Sequence, residues 1–456
     1  MHFLNKSKFW LPVVLIANVL FMSACSLAPQ GNYTALADQE RQRATRWAVQ
    51  EGAEQTTSLN ELINSPELND LVKEAIFANP SLQQTVLTLK ILHAQLQQTK
   101  AERLPEVSFD GYGEKSEEED NNYGGSLTIS WEVDLWRKLA DNESAAMMDE
   151  AEQAAVLQAA RDALTAEVMQ EWLGLTRDQH AIDIEGLRLE NLEKTEQYIL
   201  QRYRSGIGTL EDLESARTST AVSRASLEEY KENLKQRQRT LKTILGRIGE
   251  ADITVASVYP QVVTPLADLP DQTLQRRPDL QAAYFAIEAA DLRTSVAYKD
   301  LLPSISLEAA FEDLSDSPQS LLLTDPVWAL LGQLSAPLFQ GGKLKSAAEV
   351  AELQTAQSYQ SYRETLLEAI MEVDNALSLE QSITRRENHI TSALVSARNS
   401  LERYEESYRS GLVDILDLLT VQEKTFDLAS ELDNLTYERL INRIDLGLAL
   451  GLGVAQ

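Results

Sequence analysis

Across residues 139–203 apolar side chains return every three or four positions, and Leu164, Val168, Trp172, Leu175 and Ile182 line up as one stripe. That spacing predicts a long helix packed along one face. Leu366, Ile370, Val373 and Leu377 repeat the pattern within residues 342–408. Proline marks where such helices are permitted: there is none between 106 and 259 and none after 337, whereas 260, 265, 270 and 278 form a cluster. At about 1.5 Å per residue each helix is on the order of 100 Å long, so it needs packing partners along its length.

A second period, of two residues, interrupts the helical one. Val107 and Phe109 alternate with Ser108 and Asp110, and Leu127, Ile129, Trp131 and Val133 alternate with polar neighbours. Further on, Ile305, Leu307, Ala309 and Phe311 alternate with Ser304, Ser306 and Glu308, and a weaker strand is expected over 328–338. Strands of about ten residues suit either soluble hairpins capping a helical bundle or tilted strands crossing a bilayer with their polar side on a wet lumen. In the second case Trp131, Trp136 and Trp328 are candidates for one interfacial belt. Four strands close no membrane barrel, so spanning strands require an oligomer.

The chain repeats itself. Asn79-Pro80-Ser81-Leu82 corresponds to Arg277-Pro278-Asp279-Leu280, Leu104-Pro105 to Leu302-Pro303, and Tyr203-Arg204-Ser205-Gly206 to Tyr408-Arg409-Ser410-Gly411. Leu245-Gly246 corresponds to Leu450-Gly451. Matches in the same order indicate two copies of one structural unit.

Composition narrows the function classes. A formal charge of −29 argues against nucleic acid as a partner. One cysteine excludes an internal disulfide, and His2, His93, His180 and His389 present no ligand pair at helical spacing, so no metal site is expected. The sequence holds no Gly-x-Ser-x-Gly, phosphate-loop, dinucleotide or His-Glu-x-x-His motif, and no enzyme activity is expected. Lys6 and Lys8 precede an apolar run from Phe9 to Met22, the build of a signal peptide over 1–24. Met22-Ser23-Ala24-Cys25 resembles the lipobox of bacterial lipoproteins, although Met stands where Leu is usual; it implies acylation at Cys25 and no other cofactor.

Signal and lipobox, twin repeats, Leu-Pro followed by a hairpin and a very long helix, and Tyr-x-x-Gly turning into another helix together resemble the TolC family of outer-membrane efflux factors, in its lipoprotein branch serving multidrug pumps. The resemblance covers nearly the whole mature chain. It implies a mainly α fold with a small antiparallel β part, assembled as a homotrimer whose strands form one twelve-stranded barrel continued by a periplasmic helical barrel. Expected segments are a lipidated stretch 25–65, a first repeat 66–259 with a hairpin near 106–134, a Pro-rich equatorial segment 260–278, and a second repeat 279–456 with a hairpin near 304–339. Implied partners are a periplasmic adaptor protein, an inner-membrane transporter and outer-membrane lipid, with no nucleic acid.

By the same resemblance the periplasmic tip lies at the helix turns holding Gly206, Thr209 and Asp212, and Gly411. Asp414, Leu416 and Asp417 fall at the constriction. Asp414 stands where the family has Thr or Asn, and Thr420 replaces a further acid. Read from chemistry alone, Thr209 and Asp212 are equally well a cap and a first-turn acid. A copper or silver efflux channel of the same fold and a coiled-coil envelope lipoprotein are the alternatives.

Overall fold

The computed structural model describes residues 31–43, 54–115, 122–249, 253–267 and 270–454. The expected signal peptide and Cys25 lie outside the described residues.

After α1 (Tyr33–Gln42) and α2 (Pro66–Ala78) the chain runs twice through one series of elements. The first pass is α3 (Pro80–Ala101), β1 (Glu106–Glu114), β2 (Asn122–Val133), α4 (Lys138–Arg204) and α5 (Leu210–Ile244). Following a short α6 (Pro270–Arg276), the second is α7 (Pro278–Lys299), β3 (Ser304–Ser315), β4 (Val327–Ser335), α8 (Lys343–Arg409) and α9 (Ile415–Ala449). Equivalent helices have equal lengths: α3 and α7 have 22 residues, α4 and α8 have 67, and α5 and α9 have 35. The mainly helical class with a small antiparallel sheet is therefore the observed one.

The chain divides into two compact units, one of Met1–Arg41, Thr88–Ala155 and Leu280–Thr365, the other of Gln42–Leu87, Val156–Asp279 and Leu366–Gln456. In the first, the strands form a single antiparallel sheet in the order β1-β2-β3-β4. Register sorts the side chains. Phe109, Leu127, Phe311 and Trp328 make one continuous row across all four strands, while Asp110, Ser126 and Glu312 make a row on the opposite face that ends at Val327. Leu330 and Leu334, on the face of the apolar row, are well exposed, as are Val107 and Phe109.

The sheet is fastened to its helices by capping and indole bonds. The Asp134 carboxylate accepts from the backbone N–H of Leu139 (3.0 Å) and of Ala140 (2.8 Å) at the start of α4. Trp131 Nε1 donates to the Arg103 carbonyl (3.0 Å), and Trp136 Nε1 to the Pro303 carbonyl (2.6 Å). Two sequence expectations change here. The last strand ends at Ser335 and not at 338, because Pro337 has no N–H to give the ladder. The three tryptophans do not form one belt: Trp131 and Trp136 sit toward the helix end of the sheet, whereas antiparallel register puts Trp328 in the row of Leu127, about 14 Å along the strand from Trp131. Tyr112 and Tyr123 are nearer still to the loop end.

In the second unit most of the stripe of α4 is buried, with Leu164, Val168, Trp172 and Leu175 at most 7% exposed and Ile182 half-buried. Leu366, Val373 and Leu377 of α8 are buried too. The Leu59–Glu61 turn packs on α9 at Gly447, where an added Cβ would meet the Leu62 side chain at 2.8 Å. Residues 253–267 join the two passes without regular structure: Val263 N–H donates to the Leu62 carbonyl (2.9 Å), and Arg443 of α9 donates to the Val262 carbonyl (2.6 Å).

Candidate functional site

Within the second unit the turns α4–α5 and α8–α9 are built alike. Each helix ends on a glycine in the left-handed region, Gly206 at φ +75° and Gly411 at φ +73°, a conformation that residues with a Cβ resist. Ile207 N–H reaches back to the Arg202 carbonyl (3.0 Å) and Leu412 N–H to the Ser407 carbonyl (2.8 Å), completing the same helix-ending motif. Ile199, Leu213, Ala216, Tyr408, Ile415 and Leu418 form one buried cluster that packs the turns together.

Polar fittings distinguish them. At the first turn Thr209 Oγ1 accepts the Asp212 N–H (3.1 Å) while the Asp212 carboxylate accepts the Thr209 N–H (3.1 Å), a complete capping box. Thr209 and Asp212 are both engaged as a cap at this turn. At the second turn the Asp414 carboxylate accepts the Leu416 N–H (3.2 Å) and no other group among the described residues. The Asp417 carboxylate is exposed and meets no hydrogen-bond or ion-pair partner among the described residues. Leu416 and Leu412 beside it are 53% and 78% exposed. Thr420 Oγ1 donates to the Leu416 carbonyl (2.7 Å), so this hydroxyl turns back onto its own helix.

A further contact joins the two turns across the repeats. Arg202 lies over the Tyr408 ring, 5.3 Å from its centroid, with Nη1 3.5 Å from the Tyr408 carbonyl. Tyr198 meets the same ring edge-on at 5.9 Å. Burial pushes the Tyr408 phenol above its usual range against the pull of Arg202, and the carboxylates of Asp212 and Asp414 add to the rise. Tyr408 belongs to the repeated Tyr-Arg-Ser-Gly motif, and Arg202 is a basic residue in the last turn of its helix, where a cation suits the helix dipole. Neither signal identifies the other residue as its partner. Trp131 and Trp328 belong to the sheet of the first unit, and Trp136 to the turn between β2 and α4.

Among the described residues no group of His, Cys, Asp and Glu is placed to hold a metal ion. No described helix is long and apolar enough to cross a membrane.

The chain is 25% identical over 474 residues to a probable outer membrane lipoprotein, SilC, of Salmonella typhimurium, an alignment covering 98% of this chain and 99% of the relative. It is 25% identical over 445 residues to the cation efflux system protein CusC of Escherichia coli, covering 95% and 97% of the two. The crystal structure of the Campylobacter jejuni CmeC outer membrane channel superposes with a TM-score of 0.81 at 18% identity, over 91% of this chain and 92% of that one. The outer membrane efflux protein model matches residues 71–247 and 269–452, which take in both passes of the fold. With its two repeats matched in turn, the chain belongs to the outer membrane efflux protein family.

Proposed function

We propose that the chain is the outer-membrane channel subunit of a tripartite efflux system, a passive trimeric conduit for drugs or other small molecules. An inner-membrane transporter supplies the energy and a periplasmic adaptor opens the helical tip. The observation that carries this reading is the sheet: one apolar face, one polar face, and outer edges of β1 and β4 that no described strand covers. Unpaired edges are not tolerated in hydrocarbon, so copies of the chain must pair β4 of one with β1 of the next until the sheet closes. Cys25 carries the lipid, and Trp131 and Trp136 rest at one membrane interface, with Trp328 further along the barrel wall. Asp414, Leu416 and Asp417 form the periplasmic constriction, whereas Thr209 and Asp212 keep the neighbouring helix start in shape.

The test is membrane fractionation with crosslinking, followed by planar-bilayer recording of the purified protein. A crosslinked trimer in the outer membrane that conducts ions is expected. A soluble monomer without acyl groups would overturn the reading.

The name of CusC favours a second reading, in which the exported solute is a metal cation. Deletion of the gene discriminates: lost tolerance to silver and copper with drug tolerance intact selects the cation channel, and the converse selects the drug channel.

A further inference from the structure

His180 of α4 has an acceptor at each ring nitrogen. Nδ1 lies 2.7 Å from the Asp433 carboxylate of α9, and Nε2 lies 3.0 Å from the carbonyl of Ser257 in the segment between the repeats. A neutral imidazole carries one N–H and satisfies one of these; only the imidazolium donates to both. Tyr259, two residues beyond Ser257, donates its hydroxyl to the other Asp433 oxygen (3.0 Å) and meets the His180 ring edge-on at 4.7 Å.

We propose that His180 is a pH-sensitive clasp on the inter-repeat segment: doubly protonated, it ties Ser257 to Asp433 and so joins that segment to α4 and α9, and loss of one proton frees the Ser257 carbonyl. The carboxylate bond is charge-assisted and shorter, so the carbonyl bond is the one released.

Acidic groups face the ring from two helices. Asp433 faces it from α9, with Tyr437 nearby on the same helix; Tyr259 faces it from the segment, and Asp183 lies one turn on along α4. The neighbouring cations are engaged elsewhere. Arg177 pairs with Asp178 and stacks on Tyr437, and Arg237 of α5 holds Asp178 and Glu171. Burial alone would lower the pKa of His180, but its bonds to Asp433 and Ser257 and the charges of Asp433 and Asp183 outweigh this and raise it above the ordinary 6.5. Burial, then the Asp433 charge, raises the Tyr259 phenol, which stays a donor throughout. A raised histidine pKa means that the clasp's contribution is complete below pH 6.5 and is lost as pH climbs through the native value. Arg443 and Leu62 hold residues 262 and 263 independently of pH in this range, which confines the release to the stretch around Ser257.

Hydrogen exchange of the full-length protein in detergent, corrected for the intrinsic rate at each pH, reads this directly. Peptides spanning 253–260 should lose protection several-fold between pH 6 and 9 in the wild type and show no such pH dependence in His180→Gln, whose amide donates but does not titrate. An equal loss in both proteins overturns the proposal. Histidine 15N spectra of the wild type give an answer that does not depend on the variant's folding: a His180 midpoint above 6.5 supports the clasp, and one at or below 6.5 overturns it.

Discussion

The turns α4–α5 and α8–α9 descend from one plan and differ in how tightly they are finished. Both stop a 67-residue helix on a left-handed glycine, and both feed a 35-residue helix. At the first, Thr209 and Asp212 cap each other's backbone. At the second, the Asp414 carboxylate makes one local bond and the Asp417 carboxylate none among the described residues, beside exposed Leu412 and Leu416. Where a duplicated element keeps its frame and gives up its local bonds, the released side chains are available for something outside the turn. The first copy shows what a purely structural turn looks like, so the second can be judged against it.

The sharpest way to break this contrast is conductance. Replacing Leu416 and Asp417 together by Ala should raise single-channel conductance in a planar bilayer several-fold, whereas Thr209→Ala with Asp212→Ala should leave it near wild type; unchanged conductance in the first pair removes these residues from the constriction. Arg202→Ala, which unties the first turn from Tyr408, should give a smaller rise, visible as more frequent openings in the same recordings. Stability supplies the remaining tests. Gly206→Ala and Gly411→Ala should each cost about 1–2 kcal/mol, because the new Cβ meets nothing within 4 Å and the penalty is the left-handed backbone alone. Unequal shifts in thermal unfolding would show that the turns do not share a frame. Thr209→Ala should cost about 1 kcal/mol through the lost cap, and Asp417→Ala less than about 0.5 kcal/mol.

The helical periods and the proline gaps made both long helices legible, since a stripe such as Leu164, Val168, Trp172 and Leu175 has one packed solution. The duplication was legible for a related reason: Gly206 with Gly411 and Gly246 with Gly451 are positions where positive φ selects the residue. Alternation foretold the strands around Leu127 and Phe311, but their pairing across copies depends on contacts nearly two hundred residues apart, which no local period encodes. Hence the placement of Trp328 in a different row from Trp131 emerged only with the register. The capping role of Asp212 was half legible, because Thr-x-x-Asp is a cap signature and an acid near a helix start has several uses. Arg202 over Tyr408 and His180 between Asp433 and Ser257 were not legible, because each depends on helices brought side by side from opposite repeats.

The matched helix lengths set a rule for how this chain can change. Adding one residue within α4 and none within α8 would turn everything beyond the insertion by about 100° around one axis only, pulling Ile199 out of the cluster it shares with Tyr408 and Ile415. The two halves therefore behave as paired rulers: a new length in one is tolerated only when its counterpart acquires the same mark, and divergence is channelled into side chains and loops.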